Sequence, residues 1–340
     1  EMGCGKTIQA LMALPERAPV LLVVPASVKL NWGREFSIWR PEYAVVVLEG
    51  RRAFRWPAPG EAVILNYDIL QEPTTAAPPG LVVIADEAHA VKNWRAARTN
   101  RFRAVAQAAA KSGGNVWLLT GTPLLNRPPE LWGIMSSGGL EREAFGSYAR
   151  FKDLFHAREG RYGIEWGLPT SEVPGLLRRV MLRREKKDVL TSMPSKTVKS
   201  VLVKVALGRS AARELDEADK VLTAQRPTSP SVTEAEAGLV PAHPAFTEIS
   251  HALLVLAQVK VEPTIDYLES FLEEGEPVLV FSAHVDPLKE VCARMSSLRA
   301  PEGVGGDASR KVRWATLLGE TPAVERQRLV DAFQSGQLDG

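Results

Sequence analysis

The sequence predicts a doubly wound α/β fold, and three observations carry that prediction. Five short apolar runs recur through its first part: VLLVVP at 20–25, YAVVVLEG at 43–50, AVILNY at 62–67, LVVIADEAH at 81–89 and NVWLLTGTP at 115–123. Helix-forming stretches separate them. Polar residues gather where runs stop, at Pro25 to Ser27, Asp86 to His89 and Thr120 to Thr122. Runs that are apolar at every position belong to strands buried on both faces, the condition of a parallel sheet covered by helices. Ligands of such sheets lie beyond the carboxyl ends of the strands, so the polar clusters predict one shared site.

Before the first run stands EMGCGKTIQAL. Glycines let backbone N–H groups approach phosphate oxygens, Lys6 can reach the β- and γ-phosphates, and the Thr7 hydroxyl can ligate magnesium. The apolar, helix-compatible IQALMAL that follows supplies the helix N-terminus that attracts phosphate. Gly3, Cys4, Gly5, Lys6 and Thr7 are therefore the candidate nucleotide-binding residues. A buried strand normally precedes such a loop, and its usual first glycine would lie before residue 1. The expectation is that these 340 residues are a piece of a longer protein.

The fourth run ends in two adjacent carboxylates. A magnesium nucleotide site needs one acid to hold the ion and another to orient or deprotonate the attacking water, roles that suit Asp86 and Glu87. Either signal can arise by chance, as a turn or as solvated acids. A strand-terminal DEAH downstream of GKT is a far rarer coincidence, and the pair predicts ATP hydrolysis by the parent protein, with ATP and magnesium as cofactors. His89 reads either as a packed structural histidine or as a link from nucleotide state to the next motif. After the fifth run, Thr120, Gly121 and Thr122 can exchange hydrogen-bond partners at little steric cost, which suits a relay to a second ligand. An ordinary strand exit is the competing reading.

From about 138 to 193 the strand signal disappears into aromatic-rich, helical sequence (FGSYARFKDLFHAREGRYGIEW) and a basic segment, LLRRVMLRREKKDVL. KTVKSVLVKV resumes strand character. The stretch 225–244, rich in Pro, Ser, Thr and Ala without a period, reads as a mobile loop. A second α/β lobe then begins, with helical PTIDYLESFLEEG, a strand PVLVFSAH at 277–284 and helical DPLKEVCARMSSL. The expected division is an ATP-binding lobe at 1–137, a helical insertion with a basic brace at 138–193, and a linker with a partial second lobe at 194–340.

An apolar fraction of 45% is ample for buried cores. Lys and Arg number 42 against 40 Asp and Glu, so global charge gives no nucleic-acid signal and any such case rests on local clusters. Cys4 and Cys292 are too few for a disulfide framework or a zinc site. The longest apolar runs fall far short of the roughly 20 residues a membrane span needs. Arg95, Arg98 and Arg101 recur at a spacing of three, which predicts neighbouring positions on a helix face. Arg178, Arg179, Arg183, Arg184, Lys186 and Lys187 form a denser cluster. Both sets could neutralise phosphates without reading sequence, and a solvated face is the alternative for each. Trp32 and Trp39 read as core rather than as base-stacking platforms.

Taken in order, these motifs resemble the SWI/SNF-type ATPases of helicase superfamily two. EMGCGKTIQAL is similar to the family's nucleotide loop, with Cys4 where leucine is usual. VVPASVKLNWGREFSIWRP resembles its next motif through Pro25, Ser27, Trp32 and Glu35, and NYDIL, DEAHAVKN, LTGTPLLNRPPELW and VMLRREKKDVLTSMPSK follow in family order. GETPAVERQRLVDAFQSG resembles a segment of the second lobe. The aromatic insertion with GIEW is most like the HepA-related, annealing-helicase branch. The resemblance implies two RecA-like lobes, the second incomplete here, that close on ATP and step along double-stranded or branched DNA without full strand separation. Candidate DNA contacts are Ser27, Lys92, Asn93, Arg95, Arg98, Arg183 and Arg184. It also implies protein partners bound through segments outside this chain, no membrane, and a nuclear location in a eukaryote or a cytoplasmic, nucleoid-associated one in a bacterium or phage. The family's final motifs, with their arginines, have no counterpart before Gly340, so these residues alone are expected to bind magnesium ATP weakly and scarcely hydrolyse it. A non-catalytic DNA-binding scaffold and the motor subunit of a restriction or RNA-processing enzyme are the alternatives.

Overall fold

The computed structural model describes residues 1–50, 54–123, 127–160, 163–190, 192, 196–205, 207–224, 244–298 and 311–340. They fall into two compact units, Glu1–Ser195 and Lys196–Gly340.

The first unit is built on the five predicted strands: β1 (Val20–Val24), β2 (Ala44–Val47), β3 (Glu61–Asn66), β4 (Val82–Ala85) and β5 (Asn115–Leu118). All neighbours are parallel, in the order β2-β3-β1-β4-β5. Every residue of β1 is buried. Alternate side chains leave a strand on opposite faces, and here both faces meet a core. Leu21, Val23, Val63, Leu65, Val83 and Ala85 pack with Phe102, Val105 and Ala109 of α3 (Ala97–Lys111). Val20, Leu22, Val24, Ile64 and Ile84 pack with Leu11 of α1 (Lys6–Met12) and with Trp32 and Phe36 of α2 (Lys29–Trp39). The spacing of four in α2 puts both aromatic rings on its sheet-facing side. Truncating Leu22 to Ala at the centre of this layer is expected to cost about 2–5 kcal/mol of unfolding free energy, measurable by urea titration.

The remainder of the unit carries α4 (Pro128–Ser137), α5 (Glu141–Phe145), α6 (Tyr148–Leu154), α7 (Val173–Leu177) and α8 (Lys186–Val189). Phe145, Phe151, Phe155, Leu176 and their neighbours form its own aromatic core. The expectation that strands vanish between 138 and 193 is corrected here. Arg158–Gly160 (β6) and Gly163–Glu165 (β7) pair as an antiparallel hairpin with Gly160 opposite Gly163. Its residues are largely exposed, so no alternation of apolar and polar residues announced it. α4 crosses close to the residues after β4: a β-carbon on Gly133 would stand 1.9 Å from the Lys92 carbonyl oxygen. Gly133→Ala is expected to lower stability by about 1–3 kcal/mol, read from the unfolding midpoint, because backbone must give way.

The second unit is helical, with α9 (Arg209–Ala224), α10 (Pro244–Val259), α11 (Val261–Glu274), α12 (Val285–Met295) and α13 (Ala323–Gln334). Its core joins Val261, Ile265 and Leu268 of α11 to Val291 and Met295 of α12 and to Val312. Two expected strands do not form. Residues 196–205 of KTVKSVLVKV are irregular, with Leu202 almost fully exposed, and PVLVFSAH leaves Phe281 88% exposed. A strand exists only through a ladder partner. Among the described residues the second segment has one ladder-like bond, from Val278 N to Asp339 O at 3.0 Å, and no strand pairs with the first. The loop expected at 225–244 lies outside the described residues apart from Pro244, which opens α10.

Candidate active site

The order of the sheet reverses at β1, whose neighbours β3 and β4 come from opposite directions of winding, and the predicted polar clusters lie past the carboxyl ends of the strands there. Backbone bonds tie these exits together. Asp86 N donates to Val23 O at 2.9 Å, Leu119 N to Ala85 O at 2.8 Å, and Ala88 N to Leu119 O at 2.9 Å. The nucleotide-type loop reaches the same edge, since a β-carbon on Gly121 would stand 2.5 Å from Cγ of Met2. Gly3 and Gly5 are both left-handed, at φ 78° and 72°, a region where side chains other than glycine's are strained. Gly5 caps α1 without any side-chain acceptor for the first-turn N–H groups. Those donors, with the half-buried Lys6 and Thr7, fit a bound polyphosphate. Lys6 Nζ meanwhile donates to the Glu1 carbonyl at 3.0 Å, and Gln9 Nε2 to the Cys4 carbonyl at 2.7 Å.

At the end of β4, Asp86 is held on two sides. Its Oδ2 accepts from the indole N–H of Trp32 at 2.8 Å, and its Oδ1 from the backbone N–H of Glu87 at 2.9 Å. Each oxygen keeps a further lone pair, so the carboxylate is oriented without being exhausted as a ligand. Hard oxygen donors from Asp86 and Thr7, completed by phosphate, suit magnesium. The phenol of Tyr67 donates to the Asp86 carbonyl at 2.7 Å. Burial, with the Asp86 charge adding to it, pushes the Tyr67 phenol far up, so it stays a donor.

Glu87 adopts left-handed backbone, φ 47° and ψ 53°, a conformation that costs a non-glycine residue about 1–3 kcal/mol. This turn lets the chain leave β4 and enter the 3₁₀ turn Ala88–Val91 directly. Glu87 is only half-buried, and its Oε2 lies 3.1 Å from Nδ1 of His89 without the alignment of a hydrogen bond. Thr120 Oγ1 accepts from Thr122 N at 3.1 Å, a bond local to the turn.

The other predicted contacts are more dispersed. Ser27 is exposed in the 3₁₀ turn Ala26–Val28 that follows β1. Lys92 pairs with Glu130 at 2.9 Å, and the Asn93 side chain accepts from Arg95 N at 3.1 Å. The expected helix face holds for Arg98 and Arg101, both on α3, and is corrected at Arg95: α3 begins at Ala97, and Arg95 lies in a turn whose backbone N–H donates to the Asn93 side chain. Exposed Arg95 instead stacks 4.8 Å from the centre of the Trp94 ring, while Arg98 pairs with Asp68 at 2.5 Å. Arg183 and Arg184 are exposed, and their segment touches the nucleotide-type loop. Glu1 N donates to Arg184 O at 2.8 Å, and Lys186 N to Oε2 of Glu1 at 2.6 Å. Sequence reasoning placed Trp32 in the core but missed its N–H on Asp86, and gave Tyr67 no role. The available signal was position alone, since Tyr67 directly follows the carboxyl end of β3.

A glycine-rich loop, a strand-terminal acid pair and a small-residue turn share one edge of a parallel sheet, an arrangement that fits a bound nucleotide phosphate. The family described as the SNF2-related domain matches residues 1–214, and the chain belongs to it. It is 28% identical over 357 residues to the SWI/SNF-related matrix-associated actin-dependent regulator of chromatin subfamily A-like protein 1 of Xenopus tropicalis, covering 99% of this chain and 34% of the relative. It is 29% identical over 358 residues to the human DNA annealing helicase and endonuclease ZRANB3, covering 98% and 30%. The chain thus spans about a third of the length of the curated relatives it matches. Among solved structures it is similar to the Sulfolobus solfataricus SWI2/SNF2 ATPase core in complex with dsDNA, at 22% identity and a TM-score of 0.46, covering 98% of this chain and 70% of that one.

Proposed function

We propose that the chain is the ATP-binding part of a DNA-dependent ATPase that moves along duplex DNA and remodels or reanneals DNA or protein–DNA structures. The observation that carries the reading is the convergence of the glycine loop, Asp86 and Glu87 on one sheet edge, supported by family membership. Bound ATP supplies the phosphoanhydride whose hydrolysis drives the cycle. Lys6 and the first-turn N–H groups bind its phosphates, Thr7 and Asp86 hold magnesium, and Glu87 orients water. His89 and the Thr120–Thr122 turn connect that site to DNA, which Ser27, Asn93, Arg95, Arg98, Arg183 and Arg184 contact through phosphates, with Lys92 held for the same surface by Glu130.

Residues 1–137 then form the ATP-binding lobe, 138–193 the insertion and brace, and 194–340 the linker and part of the second lobe. Names of the relatives containing "DNA annealing helicase" and "regulator of chromatin" support DNA as the partner, which we extend to branched DNA, and a nuclear site of action in a eukaryote. No helix among the described residues is long and apolar enough to cross a membrane. The test is ATP hydrolysis with and without duplex DNA by a chain extended at both ends. Stimulation by duplex DNA, and less by RNA, is expected. Intact DNA binding without turnover would instead make the chain a scaffold.

A further inference from the structure

In the basic segment against the nucleotide-type loop, Arg178, Arg179 and Arg184 are exposed to solvent, whereas Lys186 is half-buried. Arg183 and Lys187 both pair with Glu185, at 3.1 and 2.9 Å. Half-buried Lys186 has no such partner, and among the described residues its ammonium lies within ion-pair distance of no carboxylate. Its side chain lies on the loop itself. Cε and Nζ stand 3.1 and 3.3 Å from where a β-carbon on Gly3 would be, so the end of the lysine side chain lies against the loop backbone at Gly3. Glu1 ties the segment to the loop, its N–H donating to Arg184 O at 2.8 Å and its carboxylate Oε2 accepting from Lys186 N at 2.6 Å.

The Lys186 ammonium lies against Gly3, and Lys6 belongs to the same loop three residues on, so two cations serve one glycine-rich loop whose free N–H groups also attract anions. Like charges so arranged call for an anion near both. We propose that Lys186 is a second phosphate-binding cation of the nucleotide site, delivered from the basic segment and acting with Lys6 on the polyphosphate. This rests on the reading of the loop as a nucleotide site. It gives the dense basic cluster a division of labour, with Lys186 turned to nucleotide while Arg183 and Arg184 remain exposed.

The experiment is a titration of the 340-residue chain with a fluorescent ATP analogue in the presence of magnesium. Lys186→Met is expected to weaken binding about tenfold, the size of one charge-assisted contact to phosphate. Lys186→Arg should restore it to within about threefold, because the charge and not the exact side chain is required. Lys111→Met, which removes an exposed cation at the end of α3, should change nothing. Wild-type affinity in Lys186→Met, or equal weakness in Lys186→Met and Lys186→Arg, overturns the assignment. Lys6→Met separates the two readings. If it abolishes binding while Lys186→Met does not, the nucleotide site stands and Lys186 has no part in it. If the unaltered chain binds no nucleotide, both fall.

Discussion

Glu87→Gln is expected to lower DNA-stimulated ATP hydrolysis about 10²–10⁴-fold in a chain extended at both ends, the range a positioned general base contributes. Nucleotide binding should stay within about twofold, since the amide keeps the volume and the phosphate contacts lie elsewhere. The structure makes this substitution clean. Glu87 is half-buried, makes no aligned hydrogen bond to His89, and holds its left-handed conformation through backbone bonds at Ala88 and Leu119 that glutamine leaves intact. Lowered turnover with unchanged affinity, read by phosphate release beside a binding titration, is the expected split. Loss of both would mean that Glu87 shapes the loop rather than the water.

The first unit was legible because its signals are local. A strand buried on both faces needs apolar residues at every position, and β1, β3 and β4 are written that way without interruption. The placement of the candidate motifs was legible for the same reason, since GCGKT, DEAH and TGT are short and contiguous and each stands at the end of an element. What was not legible depends on distant partners. The Trp32–Asp86 bond spans 54 positions and the Lys186–Glu1 bond 185, and no local pattern states which donor meets which acceptor. The two missing strands of the second unit fail on the same point, because an apolar run becomes a strand only beside another. The β6–β7 hairpin errs the other way, paired by backbone with little buried to mark it.

The Trp32 ring serves the core and the site at once, and two substitutions separate those roles. Trp32→Ala is expected to cost about 3–5 kcal/mol of stability, because the ring is 1% exposed and packs with Phe36 and the sheet. Trp32→Phe keeps most of that packing and removes one N–H, leaving Asp86 Oδ2 without its donor. The carboxylate is then free to rotate about its remaining bond from Glu87 N. Outer partners of a metal-binding carboxylate typically govern affinity by 10-fold or more, so the magnesium needed to support nucleotide binding should rise about tenfold. Tyr67→Phe provides the comparison. It removes a donor to the Asp86 backbone, which the sheet already fixes, and should leave the magnesium titration nearly unchanged. An unchanged titration in Trp32→Phe would reduce the indole bond to packing closure. A shifted one would mean that α2, which begins just beyond the turn carrying Ser27, is wired by a single hydrogen bond to the acid that holds the metal.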